Sequence, residues 1–260
     1  REAHIKPGEI KRVRFIEGVV PAVGRSTPQS AQRGPLIPRR LVGEAPVEAD
    51  GSFNVEVPAD TPLLLQTLDE RGLALGTCGW IWVKPKETRG CIGCHEDPER
   101  IPENEYVLAL RRPSTRLVLP PHQRRSVSFR VEVAPLLRRH CASAECHGGG
   151  STPLHLPMAS DPSAHAGLEE SYAALMAPAE SDVRPSSTAP LPGRYVDAGR
   201  ARTSWLIWQL VGQNTTRPWD QKAMDVLAGP RDVRQMPPAG AGNALSAESG
   251  RTISQWLDLG

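Results

Sequence analysis

The segment Cys91-Ile92-Gly93-Cys94-His95 constrains this chain more than any other part of the sequence. Its two thiols stand three positions apart, and a histidine directly follows the second thiol. This is the standard spacing for a c-type haem, in which each thiol adds across one vinyl group and the imidazole binds the iron. The sequence therefore predicts a haem c held by thioethers from Cys91 and Cys94, with His95 as the proximal iron ligand.

Two other chemistries use the same residue types. A thioredoxin-like redox pair requires a helix N-terminus within a βαβ unit, and the residues around Cys91 show neither pattern. Half of a zinc site requires a second pair of ligands. Because the chain has a second cysteine pair, zinc stays open as an alternative to haem.

That second pair, Cys141 and Cys146, is directly followed by His147, but four residues separate its thiols. The two vinyl groups of a haem lie on adjacent pyrroles, so a longer loop can bulge outward and still bring both sulfurs to them. We therefore predict a second haem c, with His147 as its proximal ligand. A Cys141–Cys146 disulfide is one alternative, and a four-thiolate zinc site pooled with Cys91 and Cys94 is another.

Met236 is the predicted distal ligand of the second haem. It lies in a Gln-Met-Pro-Pro run ahead of a C-terminal helix, and a thioether on such a stiff loop is a common distal ligand of a cytochrome c iron. Most methionines only fill gaps in a core, which is the alternative for this residue. The competing methionines are Met158, Met176 and Met224.

The distal ligand of the first haem is less constrained by the sequence. His122 is the preferred candidate because Pro120 and Pro121 hold it rigidly. An iron without any such ligand would keep an open coordination position, which suits catalysis rather than electron transfer. The alternative histidines are His4, His140, His155 and His165.

Hydrophobic patterning predicts an α+β fold in two domains, for which 260 residues suffice. A strand is expected near Val13–Val19. Between Leu41 and Val83, short extended runs alternate with turns such as Ala49–Ser52 and Asp69–Gly72. We therefore expect residues 1–120 to form a small antiparallel β-sandwich that carries the first haem at its edge.

Residues 121–260 are expected to form a mainly α, cytochrome c-like domain with long loops. Ser246 can cap a helix in which Ile253, Trp256 and Leu257 recur at helical spacing. The other predicted helices are 133–141, 171–176 and 201–211.

Charge and composition exclude some partners. The net charge is only +2, so we expect neither nucleic acid nor an anionic membrane surface as a partner. No apolar run is long enough to span a bilayer. Residues 96–125 are basic and proline-rich, which predicts a solvated linker. The chain begins with Arg1, so we expect that a leader or a longer N-terminal part has been removed and that the protein is periplasmic or extracellular. Cys78 is left over from the two pairs, and we expect either a buried unpaired thiol or a cross-link between subunits.

Part of the first domain resembles a known family. The runs Val47–Phe53, Val57–Pro62, Leu65–Asp69 and Arg89–Glu96 are similar to the haem-bearing middle region of hydrazine synthase alpha-subunit-like proteins. The resemblance covers roughly residues 10–115. It implies a haem protein outside the cytoplasm and does not imply hydrazine chemistry.

The second half looks like the cytochrome c domains of planctomycete-type proteins. The runs that carry this resemblance are Val133–Leu137, Cys146–Gly148, Met236–Pro238 and Trp256–Asp258. Such domains usually have only two residues between their thiols, so the second motif departs from the pattern. The two resemblances carry over to Cys91, Cys94, His95, Cys146, His147 and Met236.

The sequence therefore predicts a dihaem c-type cytochrome for extracytoplasmic electron transfer, an electron carrier rather than an enzyme. Its expected partners are redox proteins or neighbouring cytochrome subunits. A second hypothesis is a haem enzyme subunit of the hydrazine synthase alpha type, in which the first haem has open coordination. A third is a homo-oligomer, as a subunit of a polymeric extracellular cytochrome filament.

Overall fold

The computed structural model describes residues 5–19, 38–91, 106–143, 146–149, 154–156, 165–177, 195–217, 233–238 and 244–260. These residues combine an antiparallel sheet with helices, as the α+β prediction expected. They fall into two compact units. One unit contains the described residues up to Ser126, and the other contains those from Val127 to Gly260.

The first unit is built on a four-stranded antiparallel sheet in the order β2-β1-β4-β5. β1 is central, and its five middle residues are all buried, although successive side chains of a strand point to opposite faces. The β4–β5 hairpin turns at Asp69, whose carboxylate accepts hydrogen bonds from the backbone N–H groups of Arg71 and Leu73. The strands are β1 (Arg12–Gly18), β2 (Arg39–Pro46), β4 (Leu63–Leu68) and β5 (Ala74–Thr77).

A second, smaller layer covers one face of this sheet. It contains β3 (Val55–Glu56) and β6 (Thr115–Arg116), which pair in parallel. Among the described residues this layer is a two-residue parallel pair, so the predicted antiparallel β-sandwich is wrong in that layer. The alternation of Phe53, Val55 and Val57 reflects packing against the buried core between the layers, whose members are Val13, Phe15, Val42, Ala45, Leu63, Leu65 and Leu117.

The linker predicted for 96–125 is wrong over its described residues, 106–125. Leu117 is buried and lies over Gly43, where an added Cβ would be 2.8 Å from the Leu117 Cδ2 atom. Arg125 pairs with Leu41 through two backbone hydrogen bonds. Arg124 forms a nearly buried ion pair with Glu17. The basic composition therefore marks packed side chains as well as solvated ones.

A buried ion pair lies beside the core of the first unit. Arg14 is only 1% exposed, and its Nε lies 2.9 Å from the Glu44 carboxylate. The same guanidinium donates to the Gln66 side chain and to the Gly72 carbonyl oxygen. A guanidinium out of water needs this full set of partners, since an uncompensated charge in the interior is strongly destabilising.

The second unit is helical and has a shared aromatic cluster. A single π-helical turn, Phe129–Val133, leads into α1. The Phe129 ring packs 5.0 Å from Tyr172 and 5.3 Å from Trp256, centroid to centroid. These contacts join three elements that are far apart in sequence. The helices are α1 (Ala134–His140), α2 (His165–Met176), α3 (Trp205–Val211) and α4 (Ala247–Leu259).

The C-terminal helix forms as predicted. The Ser246 hydroxyl accepts a hydrogen bond from the Ser249 backbone N–H, and Ile253, Trp256 and Leu257 are buried. The run predicted as one helix over 201–211 is instead a 3-10 turn followed by α3, because Ser204 has an extended backbone. Among the described residues, no helix is both long and apolar enough to cross a membrane.

Replacing Glu44 with glutamine tests the buried ion pair. The E44Q variant removes the carboxylate opposite the buried Arg14, so we expect the free energy of unfolding to fall by about 3 kcal/mol. Chemical denaturation followed by circular dichroism gives this value. The matched control is E56Q, because Glu56 pairs with Arg116 at an exposed site and should contribute less than about 1 kcal/mol. An equal loss in both variants would contradict the account.

Candidate functional site

Cys141 directly follows helix α1 and is held in place by the last turn of that helix. The helix ends at His140, and the Cys141 backbone N–H donates to the Leu137 carbonyl oxygen at 2.8 Å. Leu137 is 1% exposed, so this last turn is anchored in the core of the unit. The first thiol of the second motif therefore starts from rigid backbone.

The loop from Cys141 to Gly148 closes on itself. The His147 N–H donates to the Cys141 carbonyl oxygen at 3.1 Å, and the Cys146 and Gly148 N–H groups both donate to the Ser143 carbonyl oxygen. These bonds tie the two ends of the loop together although four residues separate the thiols. Cys141, Cys146 and His147 are thus held in one short segment at the end of α1.

Gly148 is required for this closure. A Cβ atom at this position would lie 2.3 Å from the Ala142 carbonyl oxygen and 3.0 Å from that of Ser143. Both neighbours are backbone atoms, so no side-chain rotation could relieve the contact. In the sequence Gly148 is the first of three glycines after His147, but residue spacing alone could not identify the atoms that crowd it.

The His147 ring is oriented by a backbone carbonyl. Its Nδ1 atom lies 2.9 Å from the Leu154 carbonyl oxygen, and the Leu156 N–H donates to the His147 carbonyl oxygen at 2.7 Å. A carbonyl only accepts, so Nδ1 donates this hydrogen bond, and in the neutral imidazole Nε2 then carries the lone pair. This second hydrogen bond is the usual way in which proteins fix a histidine that binds a metal. No sequence signal identified Leu154, because its contribution is a backbone atom.

The two thiols of the loop have distinct surroundings and form no disulfide. Burial raises the pKa of Cys141 from its ordinary 9.0 to about 11, and the neighbouring Cys146 adds to this shift. Both cysteines are free, which removes the disulfide alternative in this structure. Among the described residues, no group of three or more His, Cys, Asp or Glu side chains could hold a metal ion. The pooled zinc set also includes Cys94, which lies outside the described residues.

Met236 lies in the same unit, on a segment that contacts the end of α3. Its backbone N–H donates to the Gln209 carbonyl oxygen at 2.8 Å, and its side chain is 37% exposed. The side chain is therefore not a core filler. Met176 is half-buried at the end of α2, while Met158 and Met224 lie outside the described residues.

The first motif is described only at Cys91, which is exposed, and Cys94 and His95 lie outside the described residues. His122 is exposed on a 3-10 turn beyond β2. Arg125, three residues after His122, pairs with the outer side of β2, and Ile81 pairs with β4. Because β2, β1 and β4 are neighbours in the sheet, Arg125 and Ile81 are four strand spacings apart, or about 19 Å. Nine residues then connect Ile81 to Cys91. The assignment of His122 to the first haem stays a prediction.

The alternative histidines have different settings. His140 is half-buried at the last position of α1, and His155 is exposed between the buried Leu154 and Leu156. His4 and the side chain of His165 lie outside the described residues. Cys78 is partly buried against the core of the first unit.

Comparison with known proteins places the first unit near one family. The model of the hydrazine synthase alpha subunit middle domain matches residues 8–96. Hydrazine synthase subunit alpha of Kuenenia stuttgartiensis is 30% identical in an alignment 108 positions long, which covers 35% of this chain and 13% of the relative. The chain thus spans only a small part of the length of that curated relative.

A solved structure extends the similarity in fold to almost the whole chain. Kuenenia stuttgartiensis hydrazine synthase superposes with a TM-score of 0.63 at 21% identity, covering 98% of this chain and 39% of that chain. At this identity the likeness establishes the fold.

Substitution of Gly148 tests the closed loop. The G148A variant forces a Cβ onto backbone oxygens, so we expect the free energy of unfolding to fall by about 2 kcal/mol. Thermal or urea unfolding of the second unit, followed by circular dichroism, measures the change. The control is G250A, since Gly250 lies inside α4 with open space around it and alanine there should stabilise by up to about 1 kcal/mol. Unfolding of G148A at the wild-type midpoint would contradict this geometry.

The raised pKa of Cys141 predicts a pH dependence in the chain prepared without haem. The folded state holds the thiol proton more tightly than the unfolded state, so its stabilising effect is complete below pH 9.0 and is lost as pH rises towards about 11. We expect unfolding free energies to fall more steeply over this range in wild type than in C141S. Parallel pH profiles of the two proteins would contradict a buried Cys141 thiol.

Proposed function

We propose that this chain is the haem-bearing part of an enzyme subunit of the hydrazine synthase alpha type, with one haem c at Cys91–His95 and a second at Cys141–His147. One observation carries the proposal. The middle-domain match ends at residue 96, one position past His95, and so includes the complete first attachment motif. The fold similarity over both units supports the same assignment for the chain as a whole.

The residues of the second motif fit a haem c. Cys141 and Cys146 are free thiols at the ends of one closed loop, and each S–H can add across a vinyl C=C so that sulfur bonds to one carbon and hydrogen to the other. The addition is redox-neutral and needs no further oxidant. His147 has its Nδ1 proton committed to the Leu154 carbonyl, so Nε2 is the atom that would bind iron.

The two haem sites would have different roles, one in electron relay and the other in substrate binding. A bound haem supplies one-electron chemistry and, where a coordination position is open, binds small ligands. At the second site, His147 and Met236 would both bind the iron, which suits electron relay. At the first site we infer that His95 is the only protein ligand, without the His122 ligand predicted from the sequence, so that one coordination position stays open. The first haem would then be the centre at which a substrate binds.

A plain electron carrier is the second candidate function. It is favoured by the second site, where an anchored histidine and a surface methionine on rigid backbone are the ligand types of a potential-raising, six-coordinate iron. The two candidates differ only in the state of the first iron. The polymeric filament stays a prediction of the sequence.

The proposal extends to location and partners. Covalent haem attachment implies maturation outside the cytoplasm, so we propose a periplasmic or extracellular protein. Its partners would be neighbouring enzyme subunits or redox proteins. The curated relative is itself named as a subunit, which supports partners of the first kind.

The haem count and the ligand state of the first iron test this proposal. We expect the denatured full chain, matured in the periplasm, to have the mass of the polypeptide plus two haems. The paired variants C91S/C94S and C141S/C146S should each lose one haem, and each serves as the control for the other. A wild-type mass with a single haem would refute the second site.

Carbon monoxide distinguishes the two candidate functions. The reduced C141S/C146S variant retains only the first haem, and we expect its Soret band to shift when carbon monoxide is added, since an open iron binds this ligand. The reduced C91S/C94S variant, with Met236 on the iron, should not respond at the same gas concentration. A first haem whose Soret band does not shift with carbon monoxide would refute the enzyme proposal and favour the electron-carrier function.

A further inference from the structure

The end of α3 has an unusual hydrogen-bond pattern. Gly212 follows the helix in the left-handed conformation, with φ of 71°, and the Gln213 N–H returns to the Trp208 carbonyl oxygen at 3.1 Å. This is the long hydrogen bond of a Schellman ending. In the usual form of this motif, the glycine N–H bonds the carbonyl of the residue three positions before it, which here is Gln209. Instead, the Gly212 N–H donates to Trp208.

The carbonyl of Gln209 accepts from a distant residue. The Met236 backbone N–H donates to it at 2.8 Å, across 27 positions of sequence. Helix ends leave their last carbonyls without partners inside the helix, so such a group is an available anchor for another segment. The Met236 segment thus completes the hydrogen bonding of the α3 terminus.

Close packing reinforces this contact. A Cβ atom on Gly212 would lie 3.0 Å from the Gln235 Cβ and 3.5 Å from its Cγ. Only glycine therefore allows the segment before Met236 to lie against the helix end without displacement. The left-handed φ of Gly212 separately favours glycine.

We propose that Gly212 and the Gln209 carbonyl form a seat for the Met236 segment, and that this seat positions the Met236 thioether as the distal ligand of the second haem. This inference rests on the proposed second haem and goes beyond it, because it assigns the control of ligation to residues that never touch the iron. The seat is defined as Gln209, Gly212 and Gln235. Gly212 is thus a positioning residue.

The seat predicts how readily the iron loses its methionine. Because Met236 is held through its backbone while its side chain is 37% exposed, core packing does little to retain the thioether. Displacing the segment by a few tenths of an ångström would weaken the iron–sulfur bond. The state in which Met236 binds the iron is then less populated, so the apparent affinity of the iron for an external ligand rises.

The experiment uses the full chain with both haems attached. Ferric wild type should show the long-wavelength charge-transfer band of methionine-ligated haem, and M236A should lack it. We expect G212A to lose most of this band, to bind imidazole about tenfold more tightly at the second haem, and to have a lower midpoint potential. Its haem count by mass spectrometry should match wild type.

Two further variants separate positioning from general destabilisation. In G212A/Q235G the double change removes the Gln235 Cβ and Cγ that crowd residue 212, so the band should return. G199A is the matched control for backbone strain, since Gly199 also has a left-handed φ, of 83°, in the same unit. We expect G199A to keep the band.

The outcomes discriminate between this inference and the function on which it rests. A wild-type protein with two haems but no methionine band would overturn both the Met236 assignment and the seat, while leaving the haem count intact. A G212A protein that keeps the band would overturn the seat alone. The seat would also be overturned if G212A loses the band and G212A/Q235G fails to restore it. Equal loss of the band in G199A would overturn it as well.

Discussion

The hydrogen bonds that close the Cys141–Gly148 loop are the constraint on which the second site depends. They hold two thiols and an imidazole in one short segment although four residues separate the cysteines. The closure works because buried Leu137 anchors the last turn of α1 and because Gly148 leaves room for the carbonyl of Ala142. The Leu154 carbonyl then orients the ring.

The sequence predicted those parts of the fold that depend on local pattern. The turn at Asp69, the cap at Ser246 and the apolar face of α4 follow from residue chemistry alone. The sequence did not predict the parallel β3–β6 pair or the packing of Leu117, because those contacts join segments about 60 residues apart. The arginines of 106–125 suggested a solvated linker, yet Arg124 is nearly buried against Glu17.

In the candidate site, too, the sequence predicts some features and misses others. Cysteine spacing identified Cys141, Cys146 and His147, and proline-stiffened sequence identified Met236. Their supports are backbone carbonyls, whose roles no residue type encodes. The comparisons changed the functional conclusion more than the structure did. They shift the preferred reading from an electron carrier to a haem enzyme subunit, since the matched family region includes the whole first motif.

In the proposed function the two irons differ in coordination, with one open for chemistry and the other closed for electron relay. An experimental density map of the haem-loaded chain, at a resolution that shows the iron ligands, would reveal this difference. We expect His95 as the only protein ligand of the first iron, and His147 with Met236 at the second. A protein side chain on both faces of the first iron would contradict the account.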